Sequence, residues 1–271
     1  MFECVVNVSE GRRLDELDAL STAAGDSLRD RHRDATHNRS VFTLINDRDE
    51  LRRDVKSLAR TALDALDLRD HVGVHPRFGV LDVVPFVALD DADAPGAVAL
   101  RDETAAWLAT TFGLPVFLYG PLDHGSSRTL PDVRRGAFRT LSPDLGPQIP
   151  DARWGASALG ARGVLVAWNL CVRGISLDEG RAVATALRRR EVRALAFDVG
   201  AFTQISFNLI EPLVVGPSTV YDEVANLVPS GAIDHAELVG LLPEAVLRTQ
   251  DPARWESLGL NYETTIEARL G

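Results

Sequence analysis

The chain has 271 residues, of which 45% are hydrophobic, 25% charged and 6% aromatic, with a formal net charge of −10. This is the balance of a folded globular protein, long enough for two small domains with a core each, and it excludes a disordered chain. The acidic charge would repel phosphate backbones and excludes nucleic acid as a partner; with no run near roughly 18 apolar residues, and an opening (MFECVVNVSEG) lacking a basic leader or an apolar signal core, a cytoplasmic location and no membrane partner are expected.

Residues 3–8 (ECVVNV) read as a buried strand, followed by Leu14, Leu17, Leu20 and Ala24 at helical spacing. An extended piece near 29–34 and the strand Ser40–Asn46 come next, then a helix over about 48–68 with Leu51, Val55, Leu58, Ala62 and Leu66 on one stripe. Val80–Leu89 is a β-rich run in which Pro85 marks an edge or bulged strand. A helix over about 96–112 and a strand at Pro115–Tyr119 complete this half. Residues 120–160 are dense in Gly, Pro, Ser and Asp, are too long for an idle connection, and read as a functional linker.

Beyond it, Gly163–Val172 is a strand, and Ser176 with Glu179 carries a capping-box signature for a helix to about 190. Strands at 193–199 and 202–210, a helix over about 218–228, a strand near 236–241 and terminal helices over 243–271 follow. Strand, helix, strand, strand, helix, strand is the split βαβ pattern of ferredoxin-like folds, and the first half begins the same way. The expected fold class is therefore α/β (α+β), with two ferredoxin-like-related subdomains, 1–155 and 156–271, and a ligand groove between them. Cys4 and Cys171 each lie in a strand-like apolar run and are expected as reduced core thiols, not as a disulfide or a metal pair.

The densest chemical signal is HVGVHPRFGVLDVVPF, residues 71–86, where an imidazole, a guanidinium and a carboxylate lie close together. Pro76 disfavours the helical region for His75 and so holds that residue extended. A histidine set in place by its backbone can accept and donate a proton near neutral pH; the plainer reading is a loop histidine that hydrogen-bonds a turn. His71 and His75 are four apart, but Gly73 and Pro76 break the helix that a metal pair would need, so no metal is expected. A second constellation, DATHNR at 34–39, either orients a polar ligand or satisfies its own turn.

Read in order, ECVVNVSEG, DATHNRSVFTL, HVGVHPRFGVLDVVPFV, LPVFLYG, DLGP with WGASALGAR, and LVGLLPEAVL resemble the formiminotransferase domain of glutamate formiminotransferases and formiminotransferase-cyclodeaminases. The resemblance covers nearly the whole chain, and nothing resembles the cyclodeaminase half. It implies two α/β subdomains with a folate tunnel between them, and transfer of a formimino group from formiminoglutamate to tetrahydrofolate in histidine degradation. The catalytic histidine of the family falls on His75, and an active-site carboxylate on Asp34, beside the matched Asn38 and Arg39. The folate-contacting linker falls on Gly146–Gly155, with Gly146, Pro147, Trp154 and Gly155 matched. Arg39 and Arg77 are candidates for pairing with substrate carboxylates. A homodimer acting on a reduced folate and a formimino amino acid is expected, without a metal. Val72 and Val74 replace a cation and an anion usual in the family, which leaves room for formyl transfer between a reduced folate and an amino acid, or for folate binding without turnover.

Overall fold

The computed structural model describes residues 1–122 and 125–271. The chain divides into two compact units, Met1–Gly163 and Val164–Gly271.

In the first unit, β1 (Phe2–Val8), α1 (Leu14–Ala23), β2 (Leu28–Asp34), β3 (Arg39–Asn46), α2 (Arg48–Ala65) and β4 (Leu81–Ala88) form the expected split unit. It is extended by α3 (Ala94–Phe112), β5 (Val116–Pro121), β6 (Ser127–Arg128), α4 (Leu130–Gly136) and β7 (Ser157–Arg162). The sheet order is β2-β3-β1-β4-β7-β5-β6. The strands β1 to β4 pair antiparallel, and β7 lies parallel between β4 and β5. Alternation along β1 turns Phe2, Cys4, Val6 and Val8 to one face, where they pack on Leu51, Val55 and Leu58 of α2 and Leu100 of α3. Asp47 caps α2 by accepting from the Asp49 and Glu50 N–H groups, and α3 ends on Gly113 in the left-handed region.

Of the two expectations for the strand that holds Pro85, an edge or a bulge, the structure shows the bulge. Pro85 is not at an edge, since β4 is central: it lies at a gap in the β1 ladder, between Cys4↔Phe86 and Asn7↔Val83, and stands opposite Gly160 of β7 on its other side. A register shift between Asn7 and Val8 supplies the bulge nearby. Residues 120–160 are not a bare linker, because they contain β6, α4 and the first residues of β7. β7 completes the first sheet, and the unit runs to Gly163.

In the second unit, β8 (Val166–Val172), α5 (Leu177–Leu187), β9 (Val192–Asp198), β10 (Thr203–Leu209), α6 (Pro217–Ala225) and β11 (Ile233–Val239) form an antiparallel sheet ordered β11-β8-β10-β9. The Ser176 and Glu179 capping box at α5 is made in both directions. Trp168, fully buried, donates its indole N–H to the Leu258 carbonyl at 2.8 Å. The terminal stretch holds only the short helices α7 (Glu244–Arg248) and α8 (Ile266–Leu270), with 3-10 turns. Cys4 and Cys171 are both free and buried. No helix among the described residues is long and apolar enough to cross a membrane.

Candidate active site

A narrow cleft in the first unit, too tight to admit a water molecule as it stands, is lined by Ser9, His37, Asn38, Arg39, His71, His75, Pro76, Arg77 and Asp82. Its walls are the end of β1, the turn between β2 and β3, and the loop from α2 to β4. Asn38 sets the turn: its φ of 49° is in the left-handed region that Asn tolerates, its side-chain oxygen accepts from Gly11 N–H at 2.9 Å, and its amide donates to the Val72 carbonyl at 3.0 Å. The His71 ring makes a further contact of 3.0 Å with the Asn38 carbonyl. One asparagine thus ties the turn to the loop that carries the histidines.

Two hydrogen-bond partners of His75 lie among the described residues of its own unit. Its Nδ1 lies 2.6 Å from the Pro76 carbonyl, which can only accept, so Nδ1 carries the hydrogen. Arg39 Nη1 lies 2.7 Å from Nε2 and 3.2 Å from Nδ1; a guanidinium can only donate, so Nε2 accepts. Burial, and then the Arg39 charge, push the imidazole from its ordinary 6.5 down to about 3, so the ring is neutral at cellular pH. Burial and Arg77 lower His71 as well. The edge of the buried His37 ring meets His75 at a centroid distance of 5.7 Å.

Behind His75 lies a charged chain. Arg39 Nη2 donates to Asn7 Oδ1 and lies 3.3 Å from Asp82 Oδ2. Asp82, 1% exposed, also accepts from Arg134 Nη2 at 2.7 Å and, through Oδ1, from Phe78 N–H at 2.7 Å. Burial alone would raise the Asp82 carboxyl, but Arg134 and Arg39 outweigh it and hold it below the ordinary value.

The other candidates stand as follows. Arg77 donates to the His71 and Gly73 carbonyls at 2.7 and 2.9 Å and bonds the His71 ring, so it clamps its own loop at the cleft wall. Asp34 accepts from Thr36 and His37 N–H at 2.7 and 2.8 Å and is not in the cleft lining; the buried His37, whose Nε2 is 3.8 Å from the carboxylate, stands between it and His75. The Trp154 indole donates to the Leu63 carbonyl at 2.8 Å and packs on the core beside Phe112, leaving no N–H for a ligand. Gly146 and Gly155 have φ of 83° and 69°, and a Cβ would meet the Leu114 and Phe78 carbonyls at 2.3 and 2.6 Å, so both are required by the backbone. Pro147 is exposed. Ser9 and His37 line the cleft, and Asn7 and Arg134 stand behind it on Arg39 and Asp82, without having been singled out by the sequence. Among the described residues no cluster of His, Cys, Asp and Glu could hold a metal ion.

Residues 1–162, more than half of the chain, match the family model described as formiminotransferase domain, N-terminal subdomain. Over 275 residues the chain is 31% identical to a glutamate formimidoyltransferase of Thermoplasma acidophilum, with 91% of this chain and 89% of that protein covered. Over 202 residues it is 32% identical to a glutamate formimidoyltransferase of Streptococcus pyogenes, covering 69% and 68%. A formimidoyltransferase-cyclodeaminase of Sus scrofa is 31% identical over 271 residues, covering 90% of this chain and 50% of that protein. The chain thus spans about half the length of the mammalian relatives it matches. The HPRFGVLD loop that carries His75 and Asp82 lies inside the matched region, and the chain belongs to the formiminotransferase family.

Proposed function

We propose that the protein is a one-carbon transferase that moves a formimino group from formiminoglutamate to tetrahydrofolate, with His75 moving the protons. The observation that carries this reading is a neutral imidazole, held by Arg39 and the Pro76 carbonyl, in a cleft lined by arginines. Transfer begins when a ring nitrogen of the reduced pterin forms a bond to the amidine carbon. The tetrahedral intermediate then breaks its bond to the glutamate nitrogen, and glutamate leaves as the amine. The attacking nitrogen loses one proton and the departing nitrogen gains one. His75 serves as base and then as acid, an effect typically worth about 10²–10⁴-fold. Arg39 and Arg77 supply the cations that carboxylates on either substrate require. Asp34 is placed to hold the β2–β3 turn, and the carboxylate that balances the site is Asp82.

The same reading makes the protein a cytoplasmic homodimer acting on small molecules, to be checked by sedimentation and fractionation. The transfer itself is tested with purified protein, tetrahydrofolate and a panel of formimino and formyl donors. His75→Asn should keep the circular dichroism spectrum and lose at least about a hundredfold in kcat. Retention of more than about a tenth of the activity would exclude the proton-transfer role.

A further inference from the structure

In the free protein the lone pair needed for proton transfer is occupied. The Nδ1 hydrogen of His75 is spent on Pro76, and Nε2 accepts from Arg39 at 2.7 Å. The hold on Arg39 is uneven. Asp82 takes Arg134 and the Phe78 N–H at 2.7 Å each, whereas its contact with Arg39 is the longest of the three at 3.3 Å. Arg39 Nε is buried without a hydrogen-bond partner among the described residues. A buried donor left unpaired is costly, and here it belongs to a side chain whose planar fork matches a carboxylate through two parallel N–H groups.

We propose that Arg39 is a displaceable cap on His75: a substrate carboxylate takes the guanidinium through Nε–H and one Nη–H, swings it off the ring, and frees Nε2 to accept a proton. The inference rests on the transferase reading above and adds to it a reason for donor selectivity. A donor with no carboxylate in reach leaves the base occupied, so binding and readiness for proton transfer are coupled. Arg39 then touches the donor directly and sets the readiness of His75 for proton transfer. Asn7 and Asp82 hold it in the resting place to which it returns.

The test uses the whole protein labelled with nitrogen-15 in its histidines, and glutarate as the probe, a dicarboxylate without the amine. At a pH where His75 is neutral, the Nε2 resonance of wild type should show a hydrogen-bonded lone pair. On saturation with glutarate it should move away from that value as the bond from Arg39 is lost. Arg39→Met should show from the start the value that glutarate produces in wild type and should not respond. Diethyl pyrocarbonate, which attacks an imidazole lone pair, should modify His75 about tenfold or more faster in Arg39→Met than in wild type, the factor expected from losing one charge-assisted hydrogen bond. If Arg39→Met does not fold, the wild-type titration decides alone. A wild-type Nε2 that is free at the outset, or unmoved by glutarate, overturns the cap. Transfer with an unmoved Nε2 removes the cap and leaves the transferase; a responding Nε2 without transfer does the reverse.

Discussion

Asp34 and Asp82 are both carboxylates near the cleft, and their partners give them different work. Asp34 is an acceptor for two backbone N–H groups of its own turn, a task that an amide oxygen performs as well. Asp34→Asn is therefore expected to stay within about threefold of wild-type activity, whereas Asp34→Ala should lose about 1 kcal/mol of stability from two unpaired donors. A hundredfold loss of activity in the asparagine variant would place the charge itself in the chemistry. His75 makes a second, pH-dependent prediction. Its folded value, about 3, is below its ordinary 6.5, so between these limits the unfolded chain binds more protons and stability falls with falling pH. Between pH 7 and 4.5 wild type should lose about 2 kcal/mol more than His75→Asn in urea titrations at the two pH values. Equal losses would mean that the ring titrates normally. His75, Arg77 and Asp82 were legible because they share one short segment with Gly and Pro punctuation. Asn7 and Arg134 were not, since Arg134 lies 52 positions from the carboxylate it binds and nothing local marks it.

At the level of elements, the strands with apolar alternation and the helices with a clean stripe or a capping box were readable, while β7 was not. Its sequence SALGAR is short and glycine-containing, and its place is set by partners far away, β4 on one side and β5 on the other. Close backbone approach between β7's lead-in and the site loop is visible at Gly79. Gly79 N–Cα–C runs so near residue 156 that a Cβ would sit 1.9 Å from the Ala156 carbonyl oxygen. Gly79→Ala should therefore cost at the upper end of about 1–3 kcal/mol and lower transfer as well, because the same loop carries His75. Gly163, where an added Cβ meets nothing within 4 Å, is the control: Gly163→Ala should stay within about 0.5 kcal/mol. Equal midpoints for the two variants in urea would show that the loop yields at Gly79 without cost.

On the scale of the whole molecule, both units repeat one plan. Counting strands within each unit, β4-β1-β3-β2 and β11-β8-β10-β9 are the same order, fourth, first, third, second, which is the split βαβ arrangement seen in the sequence pattern of the second half. The first unit hid it because β5, β6 and β7 extend the sheet beyond its fourth strand. The second unit has nothing added to its sheet and a core of its own, in which Val166, Trp168, Leu170, Ile205, Phe207, Val220 and Leu258 are almost wholly buried. A core of that kind in a chain of about a hundred residues is sufficient for independent folding. The fragment Val164–Gly271, expressed alone, is expected to unfold in one cooperative urea transition with a slope of about 1–3 kcal/mol per molar. Tryptophan emission should report it, since Trp168 moves from a fully buried site to water and loses its bond to the Leu258 carbonyl. A broad transition in which emission and circular dichroism do not coincide would mean that the second unit depends on the first for its fold.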